Sequence, residues 1–125
     1  MCYYLSENEK PKTTRKDKVV YKLMREWQGL CISVYQKYVY EKDVIQPPVK
    51  IATRISSFYS PSPVKEVHEG YHFYTKRVVK SENRIIPVSR VAEFVIPAGT
   101  KYYSNRFEGV AERIKFLRFI DKSEL

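Results

Sequence analysis

The stretch Val91-Ala-Glu-Phe-Val-Ile96 limits the fold more than any other part of this chain. Val91, Glu93 and Val95 alternate with Ala92, Phe94 and Ile96, and a period of two in β-branched and aromatic side chains is the pattern of a β-strand. Pro97 ends the run because it has no N–H to give to a ladder. Pro97-Ala98-Gly99 then predicts a tight turn, with proline at the second turn position and glycine at the fourth, so that Thr100 to Tyr103 leave in a new direction. After a loop over residues 104–109, a second apolar run, Ile114-Lys-Phe-Leu-Arg-Phe-Ile120, lies close enough in sequence to pair antiparallel with the first. The two runs predict a hairpin core.

The rest of the chain reads as further strands around that core. Lys18 to Arg25 sets Val19, Tyr21 and Leu23 against Val20, Lys22 and Met24, and the first set is the more completely apolar, as expected of a sheet covered on one face. Trp27-Gln28-Gly29 predicts a turn, after which Leu30 to Tyr40 resumes an extended pattern with Leu30, Ile32 and Val34 on one face; a first hairpin is expected here. Pro47-Pro48 breaks the pattern, and Val49 to Tyr59 makes a weak strand at best. Ser60-Pro-Ser-Pro63 is a second breaker, and also a helix start if Ser62 caps and Pro63 takes the first helical position. Thr75 to Arg84 suits a short surface helix and Ile85 to Val88 a short edge strand. Residues 1–17 carry no sustained period and read as an irregular lead-in whose Tyr3, Tyr4 and Leu5 tuck onto the core. With 125 residues, 43% of them apolar, there is material for one modest core. The expected fold is α+β but mainly β: a single domain over residues 18–125, built on a twisted antiparallel sheet with one or two short helices near residues 63–82.

Charge and tyrosine content bear on partners. Lys and Arg number 23 against 14 Asp and Glu, a formal charge of +9 that attracts polyanions through its long-range field. Five of the cations, Lys10, Lys12, Arg15, Lys16 and Lys18, fall in one short stretch that spans the end of the lead-in and the start of the first strand, and it reads either as a flexible basic arm or as a nucleic-acid contact. Among the 11 tyrosines, Tyr35, Tyr38, Tyr40, Tyr59, Tyr71, Tyr74, Tyr102 and Tyr103 interleave with Lys and Arg. Such residues stack bases and neutralise phosphates, and they equally make amphipathic sheet surfaces. No RNP-like signature, zinc finger or helix-turn-helix spacing accompanies them. The two cysteines, Cys2 and Cys31, are expected to be thiols, and the absence of a signal-like or membrane-length apolar run predicts a soluble, cytoplasmic protein.

Two patterns point to chemistry. His68-Glu-Gly-Tyr-His72 fits the H-E-x-x-H form of zinc hydrolases, in which helical spacing puts His68 and His72 on one side to hold the metal while Glu69 polarises its water. Val64, Val67, Tyr71, Tyr74 and Val78 recur at helical intervals, but Gly70 costs a helix interior about 1 kcal/mol. On a strand the two imidazoles would lie roughly 13 Å apart, at about 3.3 Å per residue, too far for one ion. The competing reading is a turn at Glu69-Gly70 followed by a half-buried strand. Cys2, if exposed as the first residue, has the form of an N-terminal nucleophile, although no oxyanion hole is identifiable.

Met1-Cys2 with Leu5, Asp17-Lys-Val-Val-Tyr-Lys22, Glu69-Gly-Tyr-His-Phe-Tyr74, and Val95-Ile-Pro-Ala-Gly-Thr-Lys-Tyr-Tyr103 with Ala111 and Ile114 beyond resemble a family of small uncharacterised proteins from bacteria and their phages. The pieces fall in order over most of the chain. The resemblance implies a small, β-rich, cytosolic protein and assigns no activity; its Glu-Gly-aromatic-His pattern requires no histidine at the place of His68. The expectation is therefore a small binding module, with no catalytic residue and no cofactor, working through a basic, tyrosine-lined sheet face. Glu69, His72, Tyr74, Lys101, Tyr102 and Tyr103 are its candidate contacts. The expected partner is a protein or a polyanion, nucleic acid included, and the run Phe116 to Ile120 offers an edge for homo-oligomer formation.

Overall fold

A computed structural model of the protein describes residues 3–5, 9–33, 38–56, 64–81, 90–121 and 124. In chain order these form strands β1 (Tyr3–Leu5), β2 (Lys12–Thr13), β3 (Lys18–Trp27), β4 (Leu30–Ser33), β5 (Val39–Tyr40), β6 (Ala52–Ser56), β7 (Val64–Glu69) and β8 (Tyr71–Tyr74), helix α1 (Lys76–Ser81), and strands β9 (Arg90–Ile96), β10 (Lys101–Ser104), β11 (Glu108–Ala111) and β12 (Lys115–Ile120). The larger sheet has the order β12-β9-β3-β8-β11-β10-β2, with β4 attached to β3 and β5 to β4; a smaller sheet has the order β1-β7-β6. The protein is thus mainly antiparallel β with one short helix among the described residues. None of those residues forms a helix long and apolar enough to cross a membrane.

β9 sits where its alternation puts it, between two partners. β12 pairs with it antiparallel, as expected, from Lys115 opposite Val95 to Ile120 opposite Val91, and β3 pairs on its other side from Lys18 opposite Ile96 to Met24 opposite Arg90. Ala92, Phe94 and Ile96 therefore point into the main core with Val20, Met24, Phe73, Ile114 and Phe116. Phe94 lies 5.4 Å from Phe116 and 5.1 Å from Tyr40 between ring centroids. Each such apolar side chain contributes roughly 1.5–3 kcal/mol by leaving water. The turn after Pro97 centres on Ala98 and Gly99, with Gly99 at φ 81°, a left-handed position that a side chain would strain.

Several expectations need correction. On β3 the inward set is Val20 and Met24, while Val19 is 50% exposed. The more apolar set does not win because the strand is covered on both sides: Tyr21 and Leu23 pack with Val79, Val91 and Ile120 in a second cluster. The lead-in is not irregular throughout, since β1 and β2 are paired strands and Tyr3 is buried. Leu30 to Tyr40 holds two strands, with Cys31 opposite Tyr40. Gln28 (φ 51°) and Gly29 (φ 80°) make the tight turn between β3 and β4 that right-handed strand twist favours. The predicted loop 104–109 is largely a hairpin between β10 and β11, closed by Asn105 Oδ1 accepting from the N–H groups of Phe107 and Glu108. Residues 64–69 are a strand, so the helical run expected through Val64 and Val67 is not formed. Ser62, Pro63 and the edge strand expected at Ile85 to Val88 lie outside the described residues. The edge of β12 is also partly occupied, because the N–H groups of Asp43 and Gln46 bond the carbonyls of Phe116 and Ile114 at 2.8 and 2.9 Å. Among the described residues, the far part of Phe116 to Ile120 carries no such bond.

Candidate functional site

The basic lead-in is held against the sheet by one buried residue. Thr14 Oγ1 donates to the Pro97 carbonyl (2.8 Å) and accepts from the Thr100 N–H (3.0 Å). Its own N–H bonds the Thr100 carbonyl (3.0 Å), and its carbonyl takes the Gly99 N–H (2.8 Å). A hydroxyl is needed because one atom must both give and accept. Asp17 Oδ1 adds a bond from the Ala98 N–H at 2.9 Å, and Arg113 Nη2 donates to the Ala98 carbonyl at 3.1 Å. The segment is therefore no loose arm. β2 forms the sheet edge on β10, with Lys12 opposite Tyr102 and Thr13 opposite Lys101. Lys18 Nζ lies 5.1 Å from the centre of the Tyr102 ring, which itself packs half-buried against the main core. Lys10, Lys12, Arg15, Lys16, Lys18 and Lys101 are all exposed. Replacing Thr14 by Val keeps the shape but strips the Pro97 carbonyl and the Thr100 N–H of their partner; we expect a loss of about 2 kcal/mol in urea unfolding and earlier proteolysis near Arg15 and Lys16. Unchanged stability and cleavage would mean that the hydroxyl does not hold the segment.

Only part of the expected contact set comes together. Lys101 and Tyr102 belong to this edge. Tyr103 points to the opposite face of β10, against the cluster of Tyr3, Val67 and Val110, with its ring 6.5 Å from that of Tyr3. Glu69 is exposed at the end of β7, opposite Ala52 of β6. His72 and Tyr74 share the face of β8 that Tyr71 and Phe73 do not, and Tyr74 packs with the cluster around Val79. The contact set therefore divides between sheets and faces, because neighbouring residues on a strand point apart.

The residues 68–72 are strand, turn and strand. His68 ends in β7 of the small sheet and His72 in β8 of the large one, with Gly70 at φ 133° between them. The helical spacing that the zinc-hydrolase reading requires is not formed. His72 Nε2 is enclosed and has no hydrogen-bond partner among the described residues. Burial, and then the charge of Lys22, push the imidazole down to about 4, against which a backbone bond at Gly70 works. No three His, Cys, Asp or Glu side chains among the described residues are grouped to hold a metal ion. Cys2 lies outside the described residues.

A second cluster was not foreseen. One edge of β3 serves two strands, β8 through Tyr21 opposite Tyr74 and β4 from Met24 opposite Ser33 onward, so the sheet forks between them. Lys22 lies at the fork on the inward face of β3, between the buried Val20 and Met24. Its Nζ donates to the His72 carbonyl at 2.6 Å and sits 5.5 and 5.9 Å from the ring centres of Tyr40 and Phe94. The residue keeps some surface while its amine end is surrounded by protein, and this desolvation lowers the amine to about 8, although the nearby Cys31, when ionised, favours the ammonium. The buried Cys31 thiol is pushed up to about 12 by burial, with Lys22 opposing. Tyr38, Tyr40 and Tyr71 pack beside it, with ring separations of 4.8 Å (Tyr38–Tyr40) and 6.4 Å (Tyr40–Tyr71). Tyr38 donates to Gln46 Oε1 (2.9 Å) and Tyr71 to the Pro47 carbonyl (2.6 Å). The sequence holds one signal for this: Lys22 is the charged member of the set Val20, Lys22, Met24.

Set against family models, curated proteins and solved structures, neither the chain nor its fold finds a match.

Proposed function

We propose that this is a small binding protein that takes a polyanion, in the first instance a nucleic-acid backbone, on the edge made by β2, β10 and the start of β3. The observation that carries the reading is the anchoring of Thr14, which holds the adjoining cations in fixed backbone positions instead of leaving them on a mobile arm. Fixed cations lose less freedom on binding, and Lys12, Lys18 and Lys101 come together on the edge around Tyr102 to meet successive phosphates. A cytoplasmic setting in bacteria or their phages belongs to the same proposal and rests on the motif resemblance.

Binding of single-stranded and duplex oligonucleotides, followed by gel shift across a salt series, tests it. If Lys10, Lys12, Arg15, Lys16, Lys18 and Lys101 each neutralise one phosphate, log K falls against log salt with a slope of about −4 on single strands and about −5 on duplex. Replacing Lys12, Lys18 and Lys101 together by Gln should reduce that slope by about 2–3, while Lys42→Gln with Lys76→Gln leaves it unchanged. No binding at low salt, or an equal loss from the control pair, removes the proposal.

A further inference from the structure

We infer that the turn between β10 and β11 makes the polyanion site selective for single-stranded nucleic acid, with Phe107 as the platform on which an unpaired base stacks. The inference rests on the basic-edge reading and extends that site to the other end of β10. Phe107 is 52% exposed, yet its backbone is tied on both sides. Its N–H donates to Asn105 Oδ1 at 2.8 Å, and its carbonyl accepts from the Thr75 N–H at 2.9 Å. The Thr75 hydroxyl donates to the Arg106 carbonyl at 2.8 Å, which fastens the turn to the residue just before α1. The Arg77 guanidinium lies over the Phe107 ring, 5.8 Å from its centre. Single exposed aromatic side chains are ordinary on a surface. A ring fixed through its backbone and backed by a cation is different, because it loses little freedom when a base is laid on it.

The path from the lysines to the ring is open and positively charged. β2 covers β10 only at Lys101 and Tyr102, and beyond Tyr102 that side of β10 pairs with no strand among the described residues. Ser104 lies roughly 10 Å from Lys101, at about 3.3 Å per residue, and the turn with Arg106 and Phe107 follows directly. Residues 71–78 and 101–107 carry Lys and Arg but no Asp or Glu, which suits an anionic strand. Glu108, next along, is half-buried in β11 opposite Tyr74. A strand held at Lys12 and Lys101 therefore follows β10 to the exposed Arg106, which meets a phosphate beside the stacked base. In a duplex the bases stack on one another and show only their edges. Both forms meet the lysines, but only a single strand presents a face to Phe107.

Fluorescence anisotropy with a single-stranded thymidine oligonucleotide and with a duplex of equal length, across a salt series, tests this on the full chain. Phe107→Ala should weaken single-strand binding about ten-fold, the loss expected when one stacking ring is removed. Duplex binding and both salt slopes should stay as in the parent, because no phosphate contact is lost. Phe107→Trp keeps a ring and should bind single strands as the parent does. Unchanged single-strand affinity in Phe107→Ala, an equal loss on duplex, or a loss that Phe107→Trp shares overturns the inference. If Phe107→Ala binds as the parent does while joint replacement of Lys12, Lys18 and Lys101 by Gln still lowers the slope, the edge reading stands and this inference alone falls. If the parent binds neither form at low salt, both fall.

Discussion

Gly70→Ala is expected to destabilise the protein by about 3–5 kcal/mol, and the sign of that change matters as much as its size. Gly70 has φ 133°, a region that L side chains rarely occupy, at a cost on the order of 1–3 kcal/mol. A Cβ there would also meet Val110 Cγ2 at 2.5 Å, and Val110 is completely buried between the sheets, so it has no room to turn away. Relief of such overpacking adds about 1–3 kcal/mol. Had residues 64–75 been the helix of a zinc site, the same substitution would stabilise it by about 1 kcal/mol, because alanine is the better helix former. Urea unfolding of the two proteins therefore separates the two conformations directly. A variant as stable as the parent, or more so, would mean that strand, turn and strand is not the structure around His72.

Stability should also fall by about 2 kcal/mol as the pH drops from 6.5 to 4. His72 is held down to about 4 from an ordinary 6.5, so within that window the unfolded chain binds a proton that the folded one refuses. A depressed group contributes its stability above the unfolded value and loses it as pH falls towards the folded value. The shift corresponds to about 3 kcal/mol at most, and solvent screening of a partly exposed ring reduces it to about 2. Glu108, whose carboxyl burial raises, works weakly the other way near the acid end. On the alkaline side Lys22 gives a rise of about 1 kcal/mol between pH 8 and 9, since the folded amine has shed its proton and the unfolded one has not. Above 9 the unfolded Cys31 thiol ionises while the folded one, at about 12, does not, and the gain is cancelled. Above 10 the raised hydroxyls of Tyr3, Tyr40 and Tyr71 turn the curve downward. Urea midpoints at half-unit intervals, with His72→Gln for comparison, check this. A parent curve flat from 6.5 to 5, or an acid limb that His72→Gln leaves intact, would show that the imidazole is not held neutral.

The elements legible in the amino-acid sequence are those whose pattern is local and strong. Alternation in Val91 to Ile96 and in Lys18 to Arg25, the breaks at Pro97 and at Gln28-Gly29, and the antiparallel return of the run after Ile114 all depend on neighbours within a few residues. The helix at Lys76–Ser81 and the turn at Gly70 are legible for the same reason. Short strands are not: β1, β2 and β5 are two or three residues long, too few to show a period, and exist because a partner strand supplies their hydrogen bonds. The same holds for the candidate sites. Lys101 and Tyr102 are expected contacts, but that they join a cation-rich edge depends on Thr14 reaching Pro97 and Thr100, more than eighty positions along the chain.

By itself, then, the sequence determined a β-rich chain with a positive field, because backbone periodicity and net charge are sums over nearby or individual residues. Tertiary structure alone decided which face of β3 is buried, that His68 and His72 belong to different sheets, and that Lys22 is drawn to the fork where β4 and β8 part. Those outcomes depend on which strands compete for the same edge, and that competition is settled only when residues distant in sequence pack together.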